Sequence, residues 1–352
     1  MATVIPVVSL NSNPFEFSIF IMRGQPFHMA HYELLKEALQ QAKTVIVVIG
    51  SYRKSPSPKN PWSGEEREAM MRASLTPEEN ARVQVVFVRD FPYKNHLWLA
   101  EVTRQVIEIT GDSDSVVLVG HEHDYSSEYL KGFPQWHKHF LPNIDEMPHA
   151  TVIRYLYFTH DVNYKKSLHP KTVEYLEDFK KTPKFKAVKA YFDAIRASKS
   201  EWTGAPYPPI FHTVDAVVIK SGHVLCVRRG KAYGGGQIAL PGGFLNDHEF
   251  LRTGALRELK EETAIALSKD ELDKLIKDQH TFDHPDRSER GRTITEAFFI
   301  DLGIGPLPKV KGSDDADKAW WMPLDQFFSR EEEFFEDHYH IIDWFIGSPF
   351  TK

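Results

Sequence analysis

Four short runs of Val and Ile early in the chain, separated by stretches with helical spacing, constrain the fold more than any other feature. The runs are Phe17–Met22, Thr44–Gly50, Val83–Val88 and Ser115–Gly120. They are nearly unbroken rather than alternating, as strands covered on both faces should be. Between them His31–Ala42, Gly64–Ser74 and Leu97–Ile109 place apolar residues at helical intervals, with Ser63 and Asn95 positioned as N-terminal caps. Strands alternating with helices predict a parallel α/β sheet with helices on both faces and ligands at the carboxyl ends of its strands.

A chain of 352 residues has room for two cores. Pro170–Ser198 reads as one or two Lys-rich helices, and Thr203-Gly204-Ala205-Pro206-Tyr207-Pro208-Pro209 is rich in turn residues, so the predicted domains are 1–200 and 201–352. The second half offers strands at Thr213–Lys220, Val224–Arg228 and Thr293–Leu302, a glycine loop at Gly234–Gly236 and a final helix over Glu331–Phe345. That is an α+β layout around a mixed sheet. The single cysteine, Cys226, excludes an intramolecular disulfide framework and reads as a buried thiol. No run approaches the ~18 apolar residues of a membrane span, and no basic residue precedes Arg23 to form a signal-peptide n-region. A cytoplasmic location away from membranes is therefore expected. The net charge is −6, with Lys and Arg dispersed, which gives no electrostatic footprint for nucleic acid. The oligomeric state stays open, a homo-oligomer included.

Residues 243–265 carry the densest chemical signal. Glu258, Glu261 and Glu262 fall on one face of a helix, where like charges repel. A hard divalent cation among them, Mg²⁺ or in its place Mn²⁺, makes sense of the crowding. Around them stand Gly243, Glu249, Arg257 and an apolar face of Ala255, Leu256 and Leu259. The segment resembles the Nudix box, Gly-x5-Glu-x7-Arg-Glu-U-x-Glu-Glu-x-Gly-U, where U is a bulky aliphatic residue. It departs from the pattern at one specified position, Ala264 for the last glycine; because alanine reaches φ > 0 only at a cost, a remodelled helix exit is expected.

After the first run comes Arg23-Gly24-Gln25-Pro26-Phe27-His28-Met29-Ala30-His31, which opens the first helix. Backbone N–H groups at a helix start favour anions, and two imidazoles three apart can donate to the same phosphate oxygens. The phosphate-cradling Gly-x4-Gly-Lys-Ser/Thr loop is absent. This segment resembles the His-x-x-His motif of the nucleotidylyltransferase superfamily, and in particular the archaeal-type nicotinamide mononucleotide (NMN) adenylyltransferases, with Ala30 where a glycine is usual. Asn60-Pro61-Trp62-Ser63-Gly64-Glu65-Glu66-Arg67, Asn95 to Trp98, and Ala150-Thr151-Val152-Ile153-Arg154 are similar to further motifs of that family. The two modules in this order resemble the bifunctional NMN adenylyltransferase/Nudix hydrolase family.

The resemblance implies a Rossmann-like transferase domain followed by a Nudix domain, acting on ATP, NMN and ADP-ribose. It implies His28, His31 and Arg154 on the ATP phosphates, assisted by Arg23, with Gly24, Gln25 and Thr151 in the same site. Asn95 and Trp98 would hold the nicotinamide, and Gly120 would let adenosine approach the backbone; Trp98 reads equally well as a core aromatic. The transferred group meets a phosphate that is already an anion, so no general base is needed. In the second half the resemblance implies metal on Glu258, Glu261, Glu262 and Gly243, an Arg257–Glu249 pair, and diphosphate bound by Arg287, Arg290 or Arg292. That arginine-rich loop, 283–292, otherwise reads as a solvated hairpin. Gly312–Ala316 either abuts the metal or faces water, and Lys54–Lys59 is either a phosphate clamp or, the favoured reading, a solvated loop. Two rival functions remain at this point: a second domain that senses ADP-ribose or NAD without hydrolysing it, and a transferase for another phosphate-bearing acceptor.

Overall fold

The computed structural model describes residues 14–121, 130–142, 149–230, 233–312 and 316–347. The chain forms two compact units, one of residues 1–52, 62–90 and 95–178, the other of 53–61, 91–94 and 179–352.

In the first unit the chain runs β1 (Phe15–Met22), α1 (Met29–Gln41), β2 (Ala42–Tyr52), α2 (Gly64–Arg72), α3 (Pro77–Ala81), β3 (Val83–Arg89), α4 (Asn95–Thr110), β4 (Val116–His121), β5 (His137–Leu141), α5 (Ala150–Phe158) and α6 (Pro170–Phe179). Among the described residues the strands lie in the order β3-β2-β1-β4-β5, all parallel. This is the Rossmann-like sheet expected. The apolar runs form its core, with Ile19, Ile46, Val48, Val116 and Leu118 fully or almost fully buried. Ser63 caps α2 through a capping box with Glu66, as its position predicts. Asn95 differs from expectation, being the first helical residue of α4 rather than its cap. Successive crossovers place β2 on one side of β1 and β4 on the other, so the strand order reverses beside β1. A crevice at the carboxyl end of such a reversal is where open α/β sheets take ligands.

The second unit continues with α7 (Pro183–Glu201), β6 (Ile210–Lys220), β7 (His223–Arg229), β8 (Ile238–Ala239), β9 (Gly242–Phe244), α8 (Leu251–Thr263), α9 (Lys269–Lys274), β10 (Ile276–Phe282), β11 (Arg292–Asp301), β12 (Ala316–Pro323), α10 (Leu324–Phe327) and α11 (His338–Ile346). Its main strands run β10-β11-β6-β7-β12, with β6 and β11 parallel and the other pairs antiparallel. Alternate residues of β6 face opposite ways. Ala216 and Val218 pack with Leu256 and Leu259 of α8, whereas Val217 packs with Cys226, Ile341 and Ile342 on the α11 side. Cys226 is buried and free, and its burial pushes the thiol pKa up. Among the described residues no helix is long and apolar enough to cross a membrane.

Three further expectations change. The helix expected over Glu331–Phe345 is a short 3-10 turn at Glu331–Glu333 and then α11, because Phe334 and Phe335 are buried side by side and Glu336 takes φ 45°. The Lys54–Lys59 stretch is not a solvated loop: Ser55 and Ser57 are buried, the Ser55 hydroxyl donates to the Phe334 carbonyl, and Lys59 pairs with Asp286 at 3.1 Å. Finally, α8 ends without remodelling. Ala264 adopts φ 45°, ψ 31°, the left-handed conformation usual for glycine, and its N–H donates to Lys260 O at 2.9 Å. An L-residue there costs ~1–2 kcal/mol, partly offset by the entropy that glycine would lose. Ala264→Gly should therefore raise unfolding free energy by about 0.5–1 kcal/mol in urea denaturation.

Candidate functional sites

In the first unit the chain leaves β1 and turns into α1 through a loop held at its carbonyls. Arg67, 1% exposed, donates to Arg23 O and Gly50 O at 2.6 Å and to Ser51 O at 3.2 Å. Its guanidinium thus ties together the carboxyl ends of β1 and β2. The Gln25 side chain donates to Trp62 O at 2.8 Å and accepts from Trp62 N at 3.2 Å. Arg154 reaches the same loop from α5, with Nη1 on Gln25 O at 2.7 Å and Nη2 on Thr151 Oγ1 at 3.3 Å. Gly24 sits at φ 64°, a conformation glycine takes at no steric cost.

His28 is the N-cap of α1, and its ring stacks on that of His31 with centroids 3.7 Å apart. The His28 N–H donates to His31 Nδ1 at 3.5 Å, which leaves the His31 proton on Nε2. Burial, reinforced by the positive fields of His149 and Arg154, lowers the His28 pKa to about 4. Burial, with His28 and His121, holds His31 well below its ordinary value. Both imidazoles are neutral donors at pH 7, in a pocket whose named neighbours are basic. Such a place favours a polyanion. His121 and His149 were not legible in the sequence; they enter from β4 and the residue before α5.

The structure brings Arg23, Gly24, Gln25, His28, His31, Thr151 and Arg154 into this one neighbourhood. Asn95 is exposed at the start of α4, and Trp98, half-buried, packs on Phe133 with centroids 5.9 Å apart. Gly120 lies in β4, where an added Cβ would come within 3.0 Å of Leu130.

In the second unit, a cleft of about 450 Å³ is lined by the box residues and by groups from β6, β7 and the α11 end. Arg257 anchors α8: it bonds Glu249 through Nε and Nη2, both at 2.9 Å, and sets Nη1 2.8 Å from both Glu258 and Glu261. Glu262 accepts from Gly242 N at 3.0 Å. With the carboxylates so engaged, no three acidic, Cys or His side chains among the described residues already converge as a metal centre. The donor set nevertheless fits a divalent cation. A Cβ on Gly243 would fall 2.5 Å from Glu258 Oε1, so the backbone lies against the carboxylates as only glycine permits. Burial also pushes Glu262 up to about 8, with Glu258 and Asp215 adding to it against the Gly242 N–H and Arg229. More negative charge converges here than the protein neutralises.

That shift has a sign. Folded Glu262 keeps a proton that the unfolded chain loses near 4.5, so its contribution to stability is present below 4.5 and lost as pH rises to about 8. A cation held by Glu262 would have to displace the proton. Mn²⁺ affinity measured calorimetrically should rise roughly tenfold per pH unit below 8, with one proton released, and level off above it.

Of the expected diphosphate ligands, Arg290 lines the cleft, with its guanidinium 5.4 Å from the Phe244 ring centre. Arg287 also lines it but spends its fork on Asp337, at 2.9 Å through both Nε and Nη2. Arg292 is not among the lining residues and bonds Asp283 O. Arg229, at the end of β7, was not anticipated; it faces the cleft and lies over Phe335 at 4.0 Å. Asp215 and His338 were likewise missed. Thr295 donates to Asp215 at 2.6 Å, and His338 Nδ1 accepts from Leu240 N at 3.0 Å. Burial lowers the His338 pKa to about 4, leaving a neutral ring that donates through Nε2. The acidic stretch at Ser313–Asp315 lies outside the described residues.

The comparisons with known proteins agree with this division. The NUDIX domain model matches residues 210–345 and the Cytidylyltransferase-like model residues 24–88. A nicotinamide/nicotinic acid mononucleotide adenylyltransferase from Acinetobacter baylyi is 33% identical over 184 residues, which is 52% of this chain and 97% of that protein. The crystal structure of a bifunctional NMN adenylyltransferase/ADP-ribose pyrophosphatase from Francisella tularensis, complexed with AMP and a Mn ion, is 33% identical with TM-score 0.89, covering 94% of this chain and 98% of that one. The chain belongs to this bifunctional family. Its enzyme classes are accordingly nucleotidyltransferase and Nudix hydrolase. An ADP-ribose pyrophosphatase from Methanocaldococcus jannaschii is 32% identical over 111 residues, 32% of this chain and 60% of that protein.

Proposed function

We propose that the first unit condenses NMN with ATP to give NAD and pyrophosphate, and that the second hydrolyses ADP-ribose to AMP and ribose 5-phosphate. The observation that carries this reading is the likeness along 94% of the chain to a protein described as having both activities. In the transferase, the neutral His28 and His31 donate to the ATP phosphates while Arg154 and Arg23 offset the charge of the leaving pyrophosphate. The NMN phosphate attacks the α-phosphorus unaided, and Trp98 with Asn95 receives the nicotinamide. In the hydrolase, Arg229 and Arg290 hold the diphosphate, and Asn246, Arg257 and Phe244 shape the cleft around it. Glu258, Glu261, Glu262 and the Gly243 backbone would hold Mg²⁺, or Mn²⁺ in its place. When bound, the cation supplies charge neutralisation and polarises a phosphorus–oxygen bond. We place the boundary near residues 178–179 rather than at the expected 200–201, because Tyr191 and Ile195 of α7 pack with Val227, Ala239 and Phe335 of the second unit, and we place the protein in the cytoplasm, where these nucleotides are made and consumed.

NAD contains the same pyrophosphate as ADP-ribose, so selectivity is the test. With Mg²⁺ and an equimolar mixture of the two, chromatography should show ADP-ribose lost, AMP gained and NAD intact. Loss of NAD would overturn the pairing of activities, and loss of neither would overturn the hydrolase.

A further inference from the structure

The Nudix match begins at residue 210, yet the second unit also holds two short pieces of chain from far earlier, 53–61 and 91–94. Tyr93, in the latter piece, is half-buried and meets Phe282, the last residue of β10, edge to face at 4.9 Å between centroids, and His284 at 6.3 Å. Its hydroxyl donates to Asp337 Oδ2. The same carboxylate takes the Arg287 fork, Nε on Oδ2 and Nη2 on Oδ1, both at 2.9 Å. This ion pair is almost out of water, with the Arg287 side chain 2% exposed and that of Asp337 6%.

These contacts converge on one loop. Residues 283–292 leave β10 beside Tyr93, bury Arg287 against Asp337 and then reach Arg290, whose N–H donates to Ser288 Oγ at 3.3 Å and whose guanidinium lies 5.4 Å from the Phe244 ring centre in the cleft. The Ser288 hydroxyl in turn donates to Glu336, another lining residue, at 2.7 Å. Lys59 of the earlier piece also touches the loop, pairing with Asp286 at 3.1 Å, but Asp286 is 70% exposed and such a pair holds little. The buried group holds more, because a hydrogen bond to a charge in low dielectric is strong and its loss leaves an acceptor short of a donor. Burial works to raise the Asp337 pKa, yet Arg287, with His338 and the Tyr93 hydroxyl, brings it below its ordinary value. Burial and then Asp337 push the Tyr93 phenol far up, so it stays a donor.

We propose that Tyr93 is a positioning residue of the hydrolase, holding Asp337 and through it the Arg287 turn of the loop so that Arg290 meets the diphosphate. The inference rests on the hydrolase reading above and takes it further, because it puts a residue from between β3 and α4 among those that the hydrolase needs. Tyr93 is not among the residues lining the cleft, so its effect passes through Asp337 to Arg287, which is. The hydroxyl fixes which way the Asp337 carboxylate faces. The carboxylate, gripped at both oxygens, fixes the guanidinium, and Arg287, three residues before Arg290, fixes the path of the loop. A diphosphate is gripped in the ground state as well as in the transition state, so a loosened loop raises KM with little change in kcat. Residues 210–345 alone lack this hold.

The test is Tyr93→Phe in the full chain, with steady-state kinetics on ADP-ribose and Mg²⁺. Phenylalanine keeps the ring contacts with Phe282 and His284 and removes only the donor. The expected result is a KM raised about tenfold, roughly the worth of one hydrogen bond to a charged group, with kcat and NAD synthesis within about twofold. Tm should fall by no more than about 5 °C. In Arg287→Lys, which has no fork for Asp337, the same change should raise KM by less than about twofold, because both residues act through one carboxylate. The proposal is overturned if KM stays within about twofold, if kcat falls while KM holds, if both activities and Tm fall together, or if the effect is undiminished beside Arg287→Lys. A wild-type chain that leaves ADP-ribose intact overturns the hydrolase reading itself and this inference with it; an active wild type with an unaffected Tyr93→Phe overturns this inference alone.

Discussion

Glu261→Gln combined with Glu262→Gln is expected to abolish ADP-ribose hydrolysis while NAD synthesis proceeds within about twofold of wild type. The cation that these carboxylates would hold is worth several kcal/mol to a diphosphate cleavage, and ~4 kcal/mol is roughly a 10³-fold loss. Loss of fold is not the cause to expect. Glu262 is a carboxyl that burial has already pushed up to about 8, so an amide of the same shape relieves the metal-free protein rather than straining it. Steady-state assays of both reactions on one preparation decide the matter. Hydrolysis that survives the double variant would remove the metal reading, and synthesis that collapses in a folded variant would favour a second unit that senses its ligand rather than cleaving it.

The complementary loss comes from His28. Replacing it with alanine should lower kcat for NAD synthesis about 10²–10³-fold, the usual cost of one donor aimed at developing phosphate charge, with ADP-ribose hydrolysis unchanged. Its ring is neutral, because burial and the fields of His149 and Arg154 lower its pKa to about 4, so it acts as a donor rather than a cation. His28→Asn, which keeps a side-chain N–H, should recover part of the rate. Equal losses in both variants would mean that the ring's stacking on His31, 3.7 Å between centroids, matters more than its proton.

How much of this could be read from the chain depended on whether the signal was local. The parallel strands were legible because each is an unbroken apolar run, and the box was legible because its carboxylates belong to one helix. β5 was missed because His137–Leu141, at the sheet edge, begins with three polar residues and buries none of its five, so it has no apolar run to betray it. The break before α11 was missed because Phe334 and Phe335 continue a helix-like pattern that tertiary burial overrides. Ala264 shows the same priority in reverse: the packing of Ile265 and Leu259 holds a left-handed exit that alanine alone would not choose. The residues that complete each site, His121 and His149 in one and Asp215, Arg229, Glu336 and His338 in the other, come from separate elements with no spacing to link them. Only the assembled sheets bring them to a cleft.

The central claim is that one chain makes NAD and removes ADP-ribose without consuming what it makes. The most direct measurement supplies purified protein with ATP, NMN, ADP-ribose and Mg²⁺ together and follows every nucleotide by chromatography over time. The account predicts that NAD and AMP rise, ADP-ribose disappears, and NAD persists after ADP-ribose is exhausted. NAD that forms and then decays to AMP and NMN would contradict it.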